Sequence, residues 1–134
     1  MSNTIFGQST AVAGNVALNR IIIRTSGESS SFRRIVAYRH SGTLSNNIAF
    51  RGMGLPNDPT TSGPGDGNLN SDQGLSITAA QAKTQSTYSS IGGTGGWAFG
   101  TTESEPWRWG FAGAYPLPTL YWMNFAPTLP AHLQ

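Results

Sequence analysis

Ten residues near the start of the chain return 32 positions later in the same order of chemical types. Ser9-Thr10-Ala11-Val12-Ala13-Gly14-Asn15-Val16-Ala17-Leu18 aligns with Ser41-Gly42-Thr43-Leu44-Ser45-Asn46-Asn47-Ile48-Ala49-Phe50. Both copies centre on Asn, a β-branched residue, Ala and a large apolar residue. A period of a few tens of residues is the mark of stacked units, each too small to bury its own apolar face. Such stacks present surfaces more often than reaction centres, so the echo bears on function as well as fold.

Of 134 residues only 14 are Asp, Glu, Lys or Arg, whereas Ser, Thr, Asn and Gly supply 55. Disorder calls for high net charge and few aromatics. This chain has 14 Phe, Trp and Tyr residues and a net charge of +2, so it reads as one folded, turn-rich β domain. Cysteine is absent, which excludes disulfides, Cys-based zinc sites, iron–sulfur clusters and thiol nucleophiles. Met1-Ser2-Asn3-Thr4 carries no basic n-region and no long apolar run follows, so neither a signal peptide nor a membrane span is expected. Together with the composition, this favours a piece of a longer exported protein, extracellular or at the cell surface.

Charge is unevenly spread. Residues 1–56 hold Arg20, Arg24, Arg33, Arg34, Arg39 and Arg51 against Glu28 alone; the remainder holds Lys83 and Arg108 against five acids. The Arg residues are dispersed and no nucleic-acid motif accompanies them, so a nucleic-acid partner is not expected.

Along the chain, Val16 to Ile23 reads as a strand region, Gly27-Glu28-Ser29-Ser30-Ser31 as a turn, and Phe32 to Tyr38 as a second strand. Leu44 to Met53 carries the second copy of the echo. Residues 1–55 therefore read as two rungs, with Val16, Leu18, Ile35, Leu44, Ile48 and Phe50 as their core. Residues 56–76, rich in Pro, Gly, Asn and Asp, read as a loop. Thr78 with Gln81 forms a capping-box pattern ahead of Ala79-Ala80-Gln81-Ala82-Lys83, predicting a helix within 77–91. Residues 92–123 form an aromatic segment and 124–134 a tail or arm. The fold class expected is mainly all-β: a short β-solenoid with one short helix and an aromatic C-terminal cap.

Particular residues carry a resemblance. The run from Phe32-Arg33-Arg34-Ile35-Val36-Ala37-Tyr38 through Gly42-Thr43-Leu44 to Asn47-Ile48-Ala49 resembles the GLUG-type repeats of large bacterial surface and secreted proteins. Ile77-Thr78-Ala79-Ala80-Gln81, Gly96-Trp97-Ala98-Phe99, Pro106-Trp107-Arg108-Trp109 and Tyr115-Pro116-Leu117-Pro118-Thr119-Leu120-Tyr121-Trp122 are similar to the unit that closes such arrays. The resemblance spans roughly residues 9 to 123. It implies a β-solenoid fragment with its C-terminal cap, of adhesin or stalk type, and brings no catalytic residues. Arg33 and Ala37 depart from it, standing where the pattern favours Gly.

Catalysis finds little to work with. His40 and His132 are the only histidines, and a triad around His40 requires picking freely among fifteen Ser. Asp58, Asp66, Asp72, Glu103 and Glu105 all lie in loop-like sequence, where solvation accounts for them. Gly65-Asp66-Gly67-Asn68-Leu69-Asn70-Ser71-Asp72 has some features of a calcium loop but lacks the closing Glu and the full alternation of oxygen ligands. No enzyme, cofactor or metal site is expected.

The aromatic segment is where a ligand would act. Trp97, Trp107, Trp109, Tyr121 and Trp122 are the platform candidates for a glycan. Trp97, Phe99, Trp107, Trp109, Tyr115, Leu120 and Trp122 serve equally as the core of a cap over an open stack end. The expected function is a non-enzymatic structural or interaction module of a secreted or surface protein. It would self-associate through open rung edges, or stack on neighbouring repeats of a longer protein. The alternative is a carbohydrate-binding module working through the aromatics.

Overall fold

A computed structural model of the chain describes residues 11–21, 33–36, 42–54, 67–90, 97–111 and 115–134. Within them it is mostly strand, with a few short helices. The order is β1 (Ala11–Ala13), β2 (Val16–Ala17), β3 (Thr43–Ser45), β4 (Ile48–Phe50), β5 (Leu75–Ile77), α1 (Ala79–Ala82), α2 (Gln85–Ser90), β6 (Phe99–Thr102), β7 (Glu105–Trp109), β8 (Pro118–Leu120) and a final 3-10 turn at Ala131–Leu133.

The echo becomes a register. β1 runs parallel to β3 with Ala11 opposite Thr43, and β2 runs parallel to β4 with Val16 opposite Ile48. In both pairs the partners are the residues that the sequence alignment matches. The bend between the two strands is also repeated: Gly14 has φ 66° and Asn46 φ 56°. Gly and Asn are the residues that enter the left-handed region at least cost.

Each bend is followed by an Asn, and the two carboxamides meet. Asn15 donates from its backbone N–H (3.1 Å) and its Nδ2 (3.0 Å) to Oδ1 of Asn47, whose own Nδ2 donates to the Val12 carbonyl at 3.1 Å. Asn47 is fully buried, so these bonds satisfy polar groups that water does not reach.

A third strand, outside the two-rung reading, lies on the far side. β5 pairs parallel with β4, Leu75 opposite Ile48, so the last residues of the expected 56–76 loop belong to a sheet. β4 is thereby central and wholly buried, as its unbroken apolar run Ile48-Ala49-Phe50 requires.

Elsewhere the expected elements shift. Residues 33–36 of the expected Phe32–Tyr38 strand form bends, and the rest of that strand lies outside the described residues. The Ile35 and Val36 N–H groups both donate to the Asp72 carbonyl, at 3.0 and 3.3 Å. Arg34 is buried, its guanidinium donating to the carbonyls of Gln73, Phe50 and Gly74 and to Ser76 Oγ. These bonds tie the segment to the rungs without strand pairing.

The capping box is present, with Gln81 N–H on Thr78 Oγ1 and Thr78 N–H on Gln81 Oε1. The single helix expected is instead two short ones, broken at Lys83-Thr84. Thr84 turns its hydroxyl back to the Ala80 carbonyl at 3.0 Å, the local competition that makes Thr a poor helix interior.

β6, β7 and β8 form an antiparallel sheet. One core cluster joins Ile48, Phe50, Ile77, Ala82, Tyr88, Leu117 and Leu133, drawing on rungs, helices and C-terminal segments alike. The sheets are open and separate, of two, three and three strands, and the described residues do not trace one continuous coil through them. What stands is an all-β protein with short helices.

Candidate functional site

Aromatic side chains and the first rung build the region where a ligand could act. The Trp97 and Trp107 rings stack at 3.9 Å between centroids and 18° between planes. Tyr88, fully buried on α2, contacts Trp97 at 5.4 Å and Trp109 at 5.7 Å, and Phe99 meets Trp109 edge-on. Tilted and offset contacts of this kind each add roughly 0.5–1.5 kcal/mol beyond area burial. Three of the five platform candidates, Trp97, Trp107 and Trp109, therefore turn ring surface to neighbouring rings and are half-buried.

Trp97 also reaches across the fold: its Nε1–H donates to the Gly14 carbonyl at 2.7 Å. That bond fastens the C-terminal sheet to the first rung at its left-handed corner. A second fastening comes from the supposed tail. His132 Nε2 lies 2.7 Å from the Leu18 carbonyl, its ring 5.3 Å from that of Phe50, and Leu133 beside it is fully buried. The expectation of an arm at 124–134 is thus corrected for its last residues. Leu129 and Leu133 give that segment apolar residues to bury, and it packs on the core.

Between the first rung and these C-terminal segments lies an open cleft of about 450 Å³. Val16, Leu18, Leu117, Pro118, Trp97 and Trp107 are among its apolar lining. Asn19, Tyr115 and His132 supply polar groups at its margin. Burial raises the Tyr88 phenol well above its usual range, with a contribution from nearby Tyr115, and burial also raises Tyr115. Both phenols are neutral hydrogen-bonding groups at neutral pH; that of Tyr88 donates to the Ala82 carbonyl.

The remaining sequence candidates separate. Leu44, Ile48 and Phe50 are buried as expected, with Val16, Leu18 and Ile35 half-buried. Phe99, Tyr115 and Leu120, expected as cap residues, are half-buried. Trp122 is not core, being 60 % exposed, with Tyr121 edge-on to it at 5.0 Å and Phe125 equally exposed nearby. β8 stops at Leu120 and the chain turns at Tyr121-Trp122.

Asp72 of the calcium-like loop carries an ion pair with Arg33, while Asp66 and His40 lie outside the described residues. Among the described residues no cluster of His, Asp and Glu could hold a metal ion, and no helix is long and apolar enough to cross a membrane. The residues that sequence reasoning missed are Asn19, Tyr88 and Leu133, with His132 set aside as tail. Comparison with protein-family models, with curated proteins and with solved structures finds no match.

Proposed function

We propose that the chain is a non-enzymatic structural and interaction module, a short β-solenoid stack closed by an aromatic unit and related to the GLUG-type repeats of surface proteins. The carrying observation is the 32-residue register with its Asn15–Asn47 bonds. A repeat that stacks in register on its own copy has the shape to stack on further copies. The first rung is the receiving side. β1 and β2 are edge strands among the described residues, and in the parallel ladder Val12 and Gly14 turn toward β3. Ala11 and Ala13 therefore turn their N–H groups to the other edge.

That edge takes either a preceding rung of a longer secreted or cell-surface protein or, in the isolated chain, the far side of a second copy. Such a head-to-tail contact need not close into a ring and so builds filaments. Trp97 and His132 hold the Gly14 and Leu18 carbonyls, leaving β1 as the more open part of the first rung. The test is sedimentation velocity over a concentration series. The wild type associates as concentration rises, and Ala11→Pro, which removes an edge donor at the first strand position where proline is tolerated, shifts the distribution to monomer with an unchanged circular dichroism spectrum. A monodisperse monomer at every concentration counts against the proposal.

A further inference from the structure

The cleft between the first rung and the C-terminal segments has its own chemistry, independent of rung stacking. Its volume of about 450 Å³ falls in the range of roughly 300–1,000 Å³ typical of small-molecule sites. Among the described residues no carboxylate, ammonium or guanidinium lines it, so these residues offer no counter-charge to an ionic ligand. Trp97 and Trp107, stacked on each other, both line it and give it aromatic surface.

Two of its polar groups are unspent. Among the described residues no hydrogen bond engages the Asn19 carboxamide or the Tyr115 hydroxyl. The third is set by the histidine's tautomer. A carbonyl only accepts, so the 2.7 Å contact with Leu18 O puts the proton on Nε2 of His132. In the neutral ring Nδ1 is then an acceptor. One carboxamide, one phenol and one imidazole nitrogen beside aromatic side chains match a neutral ligand that combines hydroxyl donors and acceptors with an apolar face.

We infer that this cleft binds a neutral sugar unit through ring stacking at Trp97–Trp107 and hydroxyl hydrogen bonds to Asn19, Tyr115 and His132. The site is a cleft shared between the first rung and the cap, not the exposed Tyr121–Trp122 corner. A proline-rich peptide, the other familiar occupant of aromatic grooves, has few donors to offer Nδ1 of His132.

The test titrates the full chain with glucose, galactose, mannose, N-acetylglucosamine and their β-linked dimers up to about 10 mM, where millimolar sites register. Tryptophan fluorescence and saturation-transfer NMR read the binding. At least one sugar saturates, and Asn19→Ala and Tyr115→Phe each weaken it by about three- to tenfold, whereas Trp122→Ala leaves it unchanged. Asn19 is exposed and Phe retains the Tyr115 ring, so both variants keep the fold, checked by their thermal transitions. The inference falls if no sugar saturates, if both substitutions leave binding intact, if Trp122→Ala alone abolishes it, or if a proline-rich decapeptide saturates where no sugar does. None of these outcomes depends on whether the chain self-associates.

Discussion

Asn47 bonds three groups: the Asn15 N–H, the Asn15 carboxamide, which also donates to the Ala13 carbonyl, and the Val12 carbonyl. Its removal in Asn47→Ala leaves part-buried polar atoms without these bonds and is expected to cost about 1–3 kcal/mol. Asn15→Ala, at an exposed position, is expected to cost under about 1 kcal/mol; urea unfolding of the two variants gives the comparison. A reversed order would mean that the carboxamides do not act as a rung contact. Gly74 occupies the position in the third strand that corresponds to Asn47, one residue before Leu75. A Cβ there would lie 2.9 Å from Ile35 Cγ1 and 3.1 Å from the Asn47 carbonyl oxygen, so no side chain fits without a shift and the repeat's signature residue is missing from that strand. Tyr88 gives a pH prediction. Burial favours its neutral form in the fold, so its contribution is complete below the phenol's ordinary value near 10 and is lost as pH rises above it. The wild type is expected to lose roughly 1–1.5 kcal/mol by pH 11 through this group. Tyr88→Phe is less stable than the wild type at pH 8, having lost the bond to Ala82, and the gap narrows at pH 11.

At the scale of elements, the C-terminal segment makes the strongest claim. Leu133 is fully buried in the shared core, and Leu133→Ala is expected to cost about 2–5 kcal/mol, measured by thermal or urea unfolding. An effect under about 0.5 kcal/mol would return residues 124–134 to the status of a loose arm. The segment escaped sequence reading because its Pro127 and Pro130 exclude a regular helix or central strand. Its apolar residues therefore show no period, and only three-dimensional contact gives Leu129, His132 and Leu133 a role. What was legible came from local chemistry: the echo fixes the register of β1–β3 and β2–β4, and the Thr78–Gln81 box marks the start of α1. What was not legible depends on distant partners. β5 carries none of the echo, arrives 27 residues after β4, and is recognised only by the strand it joins. The cleft is similar: its aromatics stood out by crowding, but Asn19 and His132 belong to it through a fold that brings residue 18 to residue 132.

For the whole molecule, the proposed stack of rungs is one that tolerates extension. The aromatic sheet and the C-terminal turn fold back to the first rung through Trp97 and His132, and a shared core holds the assembly. β1 remains an edge among the described residues. In a stack of near-identical units, stability grows with each interface added, and the dependence on denaturant grows with the surface buried. The direct measurement inserts a second copy of residues 9–40 ahead of residue 9, extending the 32-residue period by one unit, and follows urea unfolding alongside limited proteolysis. The proposed stack predicts a higher midpoint, a steeper denaturant dependence and protection of the inserted residues. An unchanged slope, with the insert cleaved away to leave the original chain, would contradict it.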